Sequence, residues 1–208
     1  MRENKPVVYI VDDDPFVIKL LNQLIRSVGL EVESFASADD FLAQAHAPGP
    51  SCLILDLRMP GLSGLDLQER LAEAGVSIPI IFITGFGSVS VSVRAMKAGA
   101  VDFLEKPFEN QVLIDTVHRA IEKSVCETRC RIEIDELRRR VETLTQRERE
   151  VFTLVVTGAP NKQIAAELGL SEKTVKFHRA RVMHKMRAQS IAELVQMAGR
   201  IPLCPVRA

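Results

Sequence analysis

Four apolar segments near the front of the chain each end in a polar side chain that could take part in metal or phosphoryl chemistry. "VVYIV" is followed by Asp12 and Asp13, "CLIL" by Asp56, "IPIIFI" by Thr84 and "VDFLE" by Lys106. Segments this rich in Val, Ile and Leu are typical of buried strands in a parallel sheet. Because parallel strands bring their carboxyl ends to one edge of a sheet, we expect these five side chains to lie close together.

The residue types predict metal-assisted phosphoryl chemistry at that edge. Clustered carboxylates cannot all stay ionised unless a cation joins them, and hard oxygen ligands suit Mg²⁺, or Mn²⁺ in its place. An ionised aspartate can attack phosphorus, while a metal ion and the Lys106 ammonium offset charge on the phosphoryl oxygens. Taken singly, each residue also has a structural explanation, as a helix cap, a strand residue or a solvated lysine. The convergence of all four strand ends favours a functional site.

The third aspartate of "IVDDDP" has a different prediction. Asp14 stands directly before Pro15, and proline is a favoured first residue of a helix. Asp14 therefore occupies the position where a helix N-cap is expected. We predict that it caps a helix and does not bind the metal.

The front of the chain predicts an α/β domain, a doubly wound, flavodoxin-like sheet of five parallel strands. Apolar and amphipathic segments alternate, and right-handed crossovers would place helices on both faces of the sheet. The expected strands are Val7–Val11, Glu31–Phe35, Cys52–Leu55, Pro79–Ile83 and Val101–Leu104, with helices near residues 15–28, 38–46, 64–74, 88–98 and 109–123.

The segment "EKSVCETRCRIEIDELRRRVE" that follows has mixed charge and a thin apolar stripe. This pattern predicts a helical linker that continues the fifth helix. A coiled coil is the weaker alternative because heptad order is not sustained.

The rear of the chain contains repeated signals for helix starts and stops and predicts an all-α, four-helix domain. Capping boxes are expected at Thr145–Glu148 and Ser190–Glu193. Asn161 is expected to cap the second helix, which stops at Gly169, and Ser171 to cap a third that ends near Met186. A short turn between the second and third helices is typical of a helix-turn-helix.

Charge and composition support two modules with different partners. The chain has no net charge, but residues 1–121 hold 10 basic and 16 acidic side chains, whereas residues 143–208 hold 11 and 5. The basic rear suits a polyanion such as nucleic acid. The sequence has no apolar run of membrane-spanning length and no signal-peptide pattern, so we expect a cytoplasmic protein without membrane partners. The four cysteines show no paired metal spacing and are expected to be reduced.

These motifs resemble those of a two-component response regulator of the FixJ/NarL type. The resemblance rests on "IVDDDP", "LILDLRMPGLSG", "ITGFGS", "AMKAGAVDFLEKPF" and "LTQREREVF…NKQIAAELGLSEKTVKFHRARVMHKM". It implies a receiver domain at residues 1–123, a helical linker at 124–142 and a LuxR-type helix-turn-helix domain at 143–208. Only the linker and the last eight residues lie outside the resemblance.

For the receiver domain, the resemblance implies a role for each strand-end residue. Asp56 would accept a phosphoryl group from a sensor histidine kinase. Asp12, Asp13, Asp56 and the backbone carbonyl of Arg58 would hold Mg²⁺, and Lys106 would pair with the phosphoryl oxygens.

The resemblance also implies a switch. Lys106–Pro107 is expected to be a cis peptide bond, and Thr84 would be the switch hydroxyl. Phe103 would be the aromatic side chain that follows Thr84 inward, although an ordinary core position is the alternative. Many receivers carry a polar residue at the position that Phe86 occupies in this chain. The geometry of a dimer is therefore left open.

The third helix of the rear domain is expected to be the recognition helix. Val175, Val182 and Met186 form its inward stripe, together with His178, and the opposite side carries cations around an aromatic and a small residue. Such a face suits the major groove of DNA. By resemblance, base edges would be contacted by Lys176, Phe177 and Ala180, and the DNA backbone by Arg179, Arg181 and Lys185, with Lys173 and Thr174 on the same face. His178 and His184 are expected in core or solvated roles.

The resemblance implies a phosphorylation-controlled transcription regulator, most simply an activator, with an aromatic-catabolism operon as one candidate target. Phosphorylation would favour a homodimer, whose two domains bind promoter DNA, with RNA polymerase as a further partner. The protein would not be an enzyme, beyond its own phosphoryl transfer and slow dephosphorylation.

Two alternatives use the same residues. A haloacid-dehalogenase-type phosphatase would need its nucleophile on the first strand, and that fold does not explain Asp56 followed by "RMPG". A receiver whose helical tail binds protein would show no salt-dependent association with DNA.

Overall fold

The structure is a computed structural model that describes residues 5–44, 49–85 and 89–201. The chain divides into two compact units, Met1–Thr128 and Arg129–Ala208. Within the described ranges there are five strands and nine helices. None of the described helices is long and apolar enough to cross a membrane.

The first unit alternates strands and helices, as predicted. Its elements are β1 (Val7–Val11), α1 (Pro15–Ser27), β2 (Glu31–Phe35), α2 (Ala38–Ala43), β3 (Ser51–Asp56), α3 (Gly64–Glu73), β4 (Ile80–Thr84), α4 (Val89–Lys97), β5 (Asp102–Glu105) and the start of α5 (Asn110–Glu142).

All five strands are parallel and lie in the order β2-β1-β3-β4-β5. The chain changes direction across the sheet between β2 and β3, so the carboxyl ends of β1 and β3 lie side by side at the switch point. Val11 of β1 pairs with Leu55 of β3. The residues that follow them, Asp12 and Asp56, are therefore neighbours at the edge.

The sheet separates two apolar layers. On one face Tyr9, Phe41 and Phe82 pack with α2 and α3, and on the other Ile10, Ile54 and the helices α1 and α5 form a second cluster. Strand side chains alternate between these layers because successive residues point to opposite faces. Both faces are covered, which explains why the inner strands β1, β3 and β4 are almost entirely apolar, whereas the edge strands β2 and β5 carry acidic residues.

The predicted boundaries need small corrections. β5 begins at Asp102 and not at Val101, and β3 and β4 each extend to the polar residue at their carboxyl end. The second helix was predicted to reach residue 46. It ends at Ala43 because Gln44 has an extended backbone, and residues 45–48 lie outside the described ranges. The prediction that the fifth helix continues through the linker is confirmed by α5.

The second unit consists of the end of α5 and four helices, α6 (Gln146–Val156), α7 (Asn161–Leu168), α8 (Glu172–Met186) and α9 (Ile191–Gly199). Val151, Phe152, Ile164, Val175 and Leu194 are fully buried and join these helices in one core. The predicted four-helix, all-α domain is thus confirmed within the described residues.

Most predicted helix caps of this unit are present, but the Ser190–Glu193 box is only half formed: Ser190 caps α9, while the Glu193 carboxylate accepts from the Gln189 amide. Thr145 and Glu148 form a reciprocal capping box, and Ser171 caps α8. Gly169 ends α7 in the left-handed conformation, with φ of 67°. The prediction for Asn161 is wrong: Pro160 is the N-cap of α7 and makes no side-chain cap hydrogen bond. Asn161 is the first helical residue, and its side-chain oxygen accepts a hydrogen bond from Arg179 instead.

Candidate functional site

Three of the strand-end side chains meet at the carboxyl edge of the sheet. The Lys106 ammonium lies 2.9 Å from Oδ2 of Asp12 and 3.0 Å from Oδ1 of Asp56. Asp12 and Asp56 are buried, with 1% and 6% of their surface exposed. One cation is therefore shared by two buried carboxylates. The Lys106–Pro107 peptide bond is cis, as expected.

The shared lysine does not fully compensate the two acids. Burial raises the pKa of Asp12, and this effect outweighs the hydrogen bonds from Lys106 and the Asp14 backbone. Burial alone would lower the pKa of Lys106, but its bonds to Asp12 and Asp56 outweigh that effect and raise the pKa. The lysine is thus held in its charged form, while the Asp12 carboxylate still lacks positive charge. A second cation would stabilise this site.

Backbone groups fix the orientation of both carboxylates. Oδ1 of Asp12 accepts a hydrogen bond of 2.9 Å from the Asp14 amide, and Oδ2 of Asp56 accepts one of 2.7 Å from the Arg58 amide. Gly64 begins α3 directly beside Asp56, and a Cβ atom there would collide with the Asp56 carbonyl oxygen. The helix can approach the site this closely because residue 64 has no side chain.

The predicted metal ligands are only partly assembled. Asp13 is exposed, and the described residues contain no group of three Asp, Glu, His or Cys side chains arranged to hold a metal. The Lys106 ammonium binds both Asp12 and Asp56. The donor set nevertheless fits a hard cation, because two oriented carboxylates with a deficit of positive charge adjoin a third acid on the same strand end.

Asp14 has the helix-capping role that was predicted for it, unlike Asp12 and Asp13. Its side chain accepts a hydrogen bond of 2.8 Å from the Phe16 amide, and Pro15 follows as the first residue of α1. Asp14 is thus the N-cap of α1.

The switch residues lie on the adjoining strands. Thr84 ends β4 and is buried. Phe103 of β5 is half-buried, with its ring centroid 6.3 Å from that of Phe82. This placement fits either the core or the switch interpretation of Phe103. Phe86, on which the question of dimer geometry depends, lies outside the described residues.

In the second unit, α8 has the two-sided character expected of a recognition helix. Val175, Val182 and Met186 are fully buried, His178 is half-buried and His184 is exposed. The opposite side exposes Lys173, Lys176, Phe177, Ala180 and Arg181, with Thr174 half-buried at its start. Phe177 is 57% exposed, which is unusual for an aromatic side chain without an external partner.

Two cations predicted to contact the DNA backbone are engaged within the protein. Arg179 is half-buried and donates a hydrogen bond of 2.7 Å to Asn161. Lys185 forms an ion pair of 2.6 Å with Glu148 and donates to the carbonyl of Thr143 at 2.8 Å. Lys185 is therefore better explained as a link between α8 and α6 than as a DNA contact.

Glu148 is the residue that sequence reasoning missed. It was predicted as half of a capping box, but its carboxylate is also buried and bound by Lys185 and Arg181. One sequence feature could have indicated this. Glu148 lies three and seven positions before Val151 and Val155, on the apolar side of α6. An acid on the buried side of a helix needs cationic partners.

The described cysteines offer no site. Cys52 is buried in the core, and burial raises its thiol pKa to about 12. Cys126 and Cys130 are free and exposed on α5, and Cys204 lies outside the described residues.

Comparison with known families identifies both units. Residues 8–118 match the response regulator receiver domain, and residues 142–198 match the luxR family of bacterial regulatory proteins. The receiver match argues against the haloacid-dehalogenase-type phosphatase. The luxR-family match argues against a helical tail that binds protein in place of DNA.

Relatives match over nearly the whole chain. Nodulation protein W of Bradyrhizobium diazoefficiens is 50% identical over 93% of this chain and 86% of its own length. The transcriptional regulatory protein FixJ of Rhizobium meliloti is 46% identical over 92% of this chain and 94% of its own.

Among solved structures, that of the response regulator StyR has a TM-score of 0.83 at 45% identity and covers 94% of this chain and 99% of its own. The sequence motifs favour StyR as an individual relative, and the comparison confirms the similarity. The fold, the two family matches and these full-length relatives lead to one conclusion: the chain belongs to the response regulators that join a receiver domain to a LuxR-type DNA-binding domain.

Proposed function

We propose that Asp56 accepts a phosphoryl group from a sensor histidine kinase and that this event increases dimerisation and sequence-specific DNA binding through α8. The observation that carries the proposal is the pair of buried carboxylates, Asp12 and Asp56, held by Lys106 at the carboxyl edge of the sheet. A nucleophilic carboxylate and a fixed ammonium are the groups that phosphoryl transfer to an aspartate needs.

The chemical step follows from these positions. An oxygen of Asp56 attacks phosphorus, the new O–P bond forms as the bond to the donor nitrogen breaks, and Lys106 offsets charge on the transferred oxygens. Asp12, Asp13, Asp56 and the Arg58 carbonyl would hold Mg²⁺, which supplies further neutralisation when bound. The two amides that orient Asp12 and Asp56 keep the nucleophile fixed before transfer.

Phosphorylation would then be sensed at the neighbouring strand ends. A phosphoryl group adds about two negative charges, and the Thr84 hydroxyl at the end of β4 is a hydrogen-bond donor within the same edge. Thr84 moving toward the phosphoryl group, with Phe103 following, would repack the surface of α4 and β5 and favour a homodimer. Two linked DNA-binding domains bind a two-part site more strongly than one.

On the DNA side, we propose the exposed face of α8 as the reading surface. Lys176, Phe177 and Ala180 would contact base edges, with Lys173, Thr174 and Arg181 in flanking contacts. Arg179 takes part only if it exchanges Asn161 for a phosphate. Promoter DNA and RNA polymerase as partners support a cytoplasmic location, and the aromatic-catabolism target stays a prediction.

Acetyl phosphate labelling tests the phosphoryl site. We expect one label per chain in the presence of Mg²⁺, located at Asp56 by peptide mass spectrometry, with an increase in dimer measured by sedimentation. Asp56→Asn should abolish the label, and Asp39→Asn, which changes an exposed acid on α2, is the matched control. Equal labelling of Asp56→Asn would refute the site.

DNA binding is tested separately by measuring affinity against salt concentration. Phosphate contacts make log K fall linearly with log salt, with a slope set by the number of contacts. A dissociation constant that does not change with salt would contradict DNA binding by this domain.

A further inference from the structure

The carboxylate of Glu148 connects α6 to two cations of the recognition helix. Glu148 is 1% exposed. Its Oε2 accepts from the Thr145 amide at 2.8 Å and from Lys185 at 2.6 Å, while Oε1 forms an ion pair with Arg181, 3.2 Å from its Nε. The capping box fixes the carboxylate in α6, so the position of both cations on α8 is fixed relative to that helix.

The two cations differ in what they present to solvent. The Lys185 side chain is 24% exposed, and its ammonium also binds the Thr143 carbonyl. The Arg181 side chain is 55% exposed, and its guanidinium lies over the Phe177 ring at 5.5 Å from the centroid. Lys185 is therefore a structural partner of Glu148, whereas Arg181 continues to the surface of the reading face.

The ion pair with Glu148 is made at Nε of Arg181. A guanidinium carries two further nitrogens, and the Arg181 side chain is 55% exposed. A guanidinium that is paired with a buried acid and lies over an aromatic ring has less freedom left to lose. Binding of a phosphate by its other nitrogens then costs less entropy.

The charge on Glu148 is permanent at physiological pH. Burial raises its pKa, but the hydrogen bonds from Lys185 and Thr145 outweigh this effect and lower the pKa to about 2. The ion pair with Arg181 therefore does not depend on pH in the working range.

We propose that Glu148 is a positioning residue for DNA recognition, which holds the Arg181 guanidinium over Phe177 so that its terminal nitrogens meet one DNA phosphate. This proposal rests on the proposed function of α8 as the reading helix. A phosphate contact fixed in direction sets the register of the helix on the duplex, so a buried acid that never touches DNA would influence specificity.

A double-mutant cycle in the full-length protein tests the proposal. Two duplexes are used: the 30-bp duplex that the wild type selects most strongly from a randomised pool, and a mixed-sequence duplex of equal length. We expect Glu148→Gln to weaken binding to the selected duplex about tenfold, with mixed-sequence binding unchanged or stronger because a negative charge is lost. Arg181→Ala should weaken both and reduce the salt slope by about one.

The coupling decides the outcome. If Glu148 acts through Arg181, Glu148→Gln should change affinity less than about twofold when Arg181 is already alanine. An equal tenfold loss in both backgrounds would show that Glu148 only maintains the fold, and would overturn the proposal. Lys185→Met is the matched control, since it breaks the other ion pair of Glu148; it should lower thermal stability and leave the Glu148–Arg181 coupling intact.

A second variant keeps the proposal testable if Glu148→Gln does not fold. Arg181→Lys retains the positive charge but has no Nε and no terminal pair of nitrogens. We expect about tenfold weaker binding to the selected duplex at an unchanged salt slope. Unchanged affinity for the selected duplex would refute the positioning role. A wild type that binds neither duplex would instead refute the proposed function itself.

Discussion

Each unit contains a buried carboxylate in contact with lysine, and the two sites balance their charges in opposite ways. At the sheet edge, two carboxylates, Asp12 and Asp56, share Lys106. In the helical unit, the carboxylate of Glu148 is shared by Lys185 and Arg181. The first group has an excess of negative charge and the second an excess of positive charge.

The pKa values show what this difference means. Burial leaves the pKa of Asp12 raised, whereas the partners of Glu148 lower its pKa to about 2. The carboxylate of Glu148 has all the partners it needs from the protein itself, so it stabilises the fold. At the sheet edge two carboxylates share one ammonium, so a further cation would stabilise that group. Incomplete compensation thus distinguishes an acid cluster that suits a further cation from one whose charges are balanced within the protein.

The largest expected effect comes from removing the shared cation of the sheet edge. Lys106→Met should slow acetyl phosphate labelling of Asp56 by roughly 10²- to 10³-fold, because a preorganised charge that offsets the transferred phosphoryl group is lost. Labelling rates at saturating Mg²⁺ measure this. The control is Lys97→Met on α4, which lies outside the site. A rate within a factor of two of the wild type would mean that Lys106 serves only the resting structure.

Removing the fully compensated acid should instead cost stability. Glu148→Ala leaves Lys185 and the Thr145 amide without their acceptor, and we expect a loss of about 3 kcal/mol in the free energy of unfolding of the helical unit. Hydrogen exchange in peptides from α6 and α8 measures that unit separately. Labelling of Asp56 should be unchanged; a parallel loss there would contradict the separation of roles.

Mg²⁺ should stabilise one unit and not the other. At a hundred times its dissociation constant it should add about 2.7 kcal/mol to the receiver. Tyr9 is the only tyrosine of a chain without tryptophan, so tyrosine fluorescence reports unfolding of that unit alone. Asp13→Asn should weaken Mg²⁺ binding even though Asp13 is exposed. Unchanged affinity in this variant would exclude Asp13 from the metal ligands.

Acid should weaken the helical unit through Glu148. Its pKa in the folded protein, about 2, lies below the ordinary value of 4.5, so its contribution is complete above pH 4.5 and is lost as the pH falls toward 2. The thermal midpoint followed by far-ultraviolet circular dichroism should therefore fall more steeply in this range for the wild type than for Glu148→Gln. Equal slopes for the two proteins would refute this assignment.

The smallest expected effect concerns Asp14. Asp14→Ala removes the N-cap of α1 and should cost about 1 kcal/mol in receiver stability. Mg²⁺ affinity, measured by the shift in unfolding midpoint, should remain near that of the wild type. A loss of affinity as large as that of Asp13→Asn would place Asp14 in the metal site and remove the distinction between the three aspartates.

The sequence allowed the sheet edge to be predicted because its geometry follows from topology. Once the strands were recognised as parallel, their last residues had to meet, and Asp12, Asp56 and Lys106 do so. No comparable topological rule predicts which side chains surround Glu148. Its partners lie more than thirty positions away on another helix, and only the packing of α6 against α8 decides which cation reaches a buried acid.

The same limit explains the two reassigned residues of the helical unit. Asn161 has the side chain of a good N-cap, and Lys185 lies on the basic side of α8. Tertiary partners, Arg179 for Asn161 and Glu148 for Lys185, determined their actual roles. Local patterns describe a residue's preferences, and packing selects among them.

The missing side chain at Gly64 lets the backbone of α3 approach that of β3 at Asp56 directly. Where side chains separate two packed elements, a small movement of one can be absorbed by a change of rotamer in the other. At Gly64 the backbone of α3 rests directly on the Asp56 carbonyl, and the Gly64 amide donates to the Leu57 carbonyl at 3.1 Å. A shift of the main chain at Asp56 would therefore be transmitted to the start of α3 through backbone contact and this hydrogen bond, with no side chain between them to absorb it.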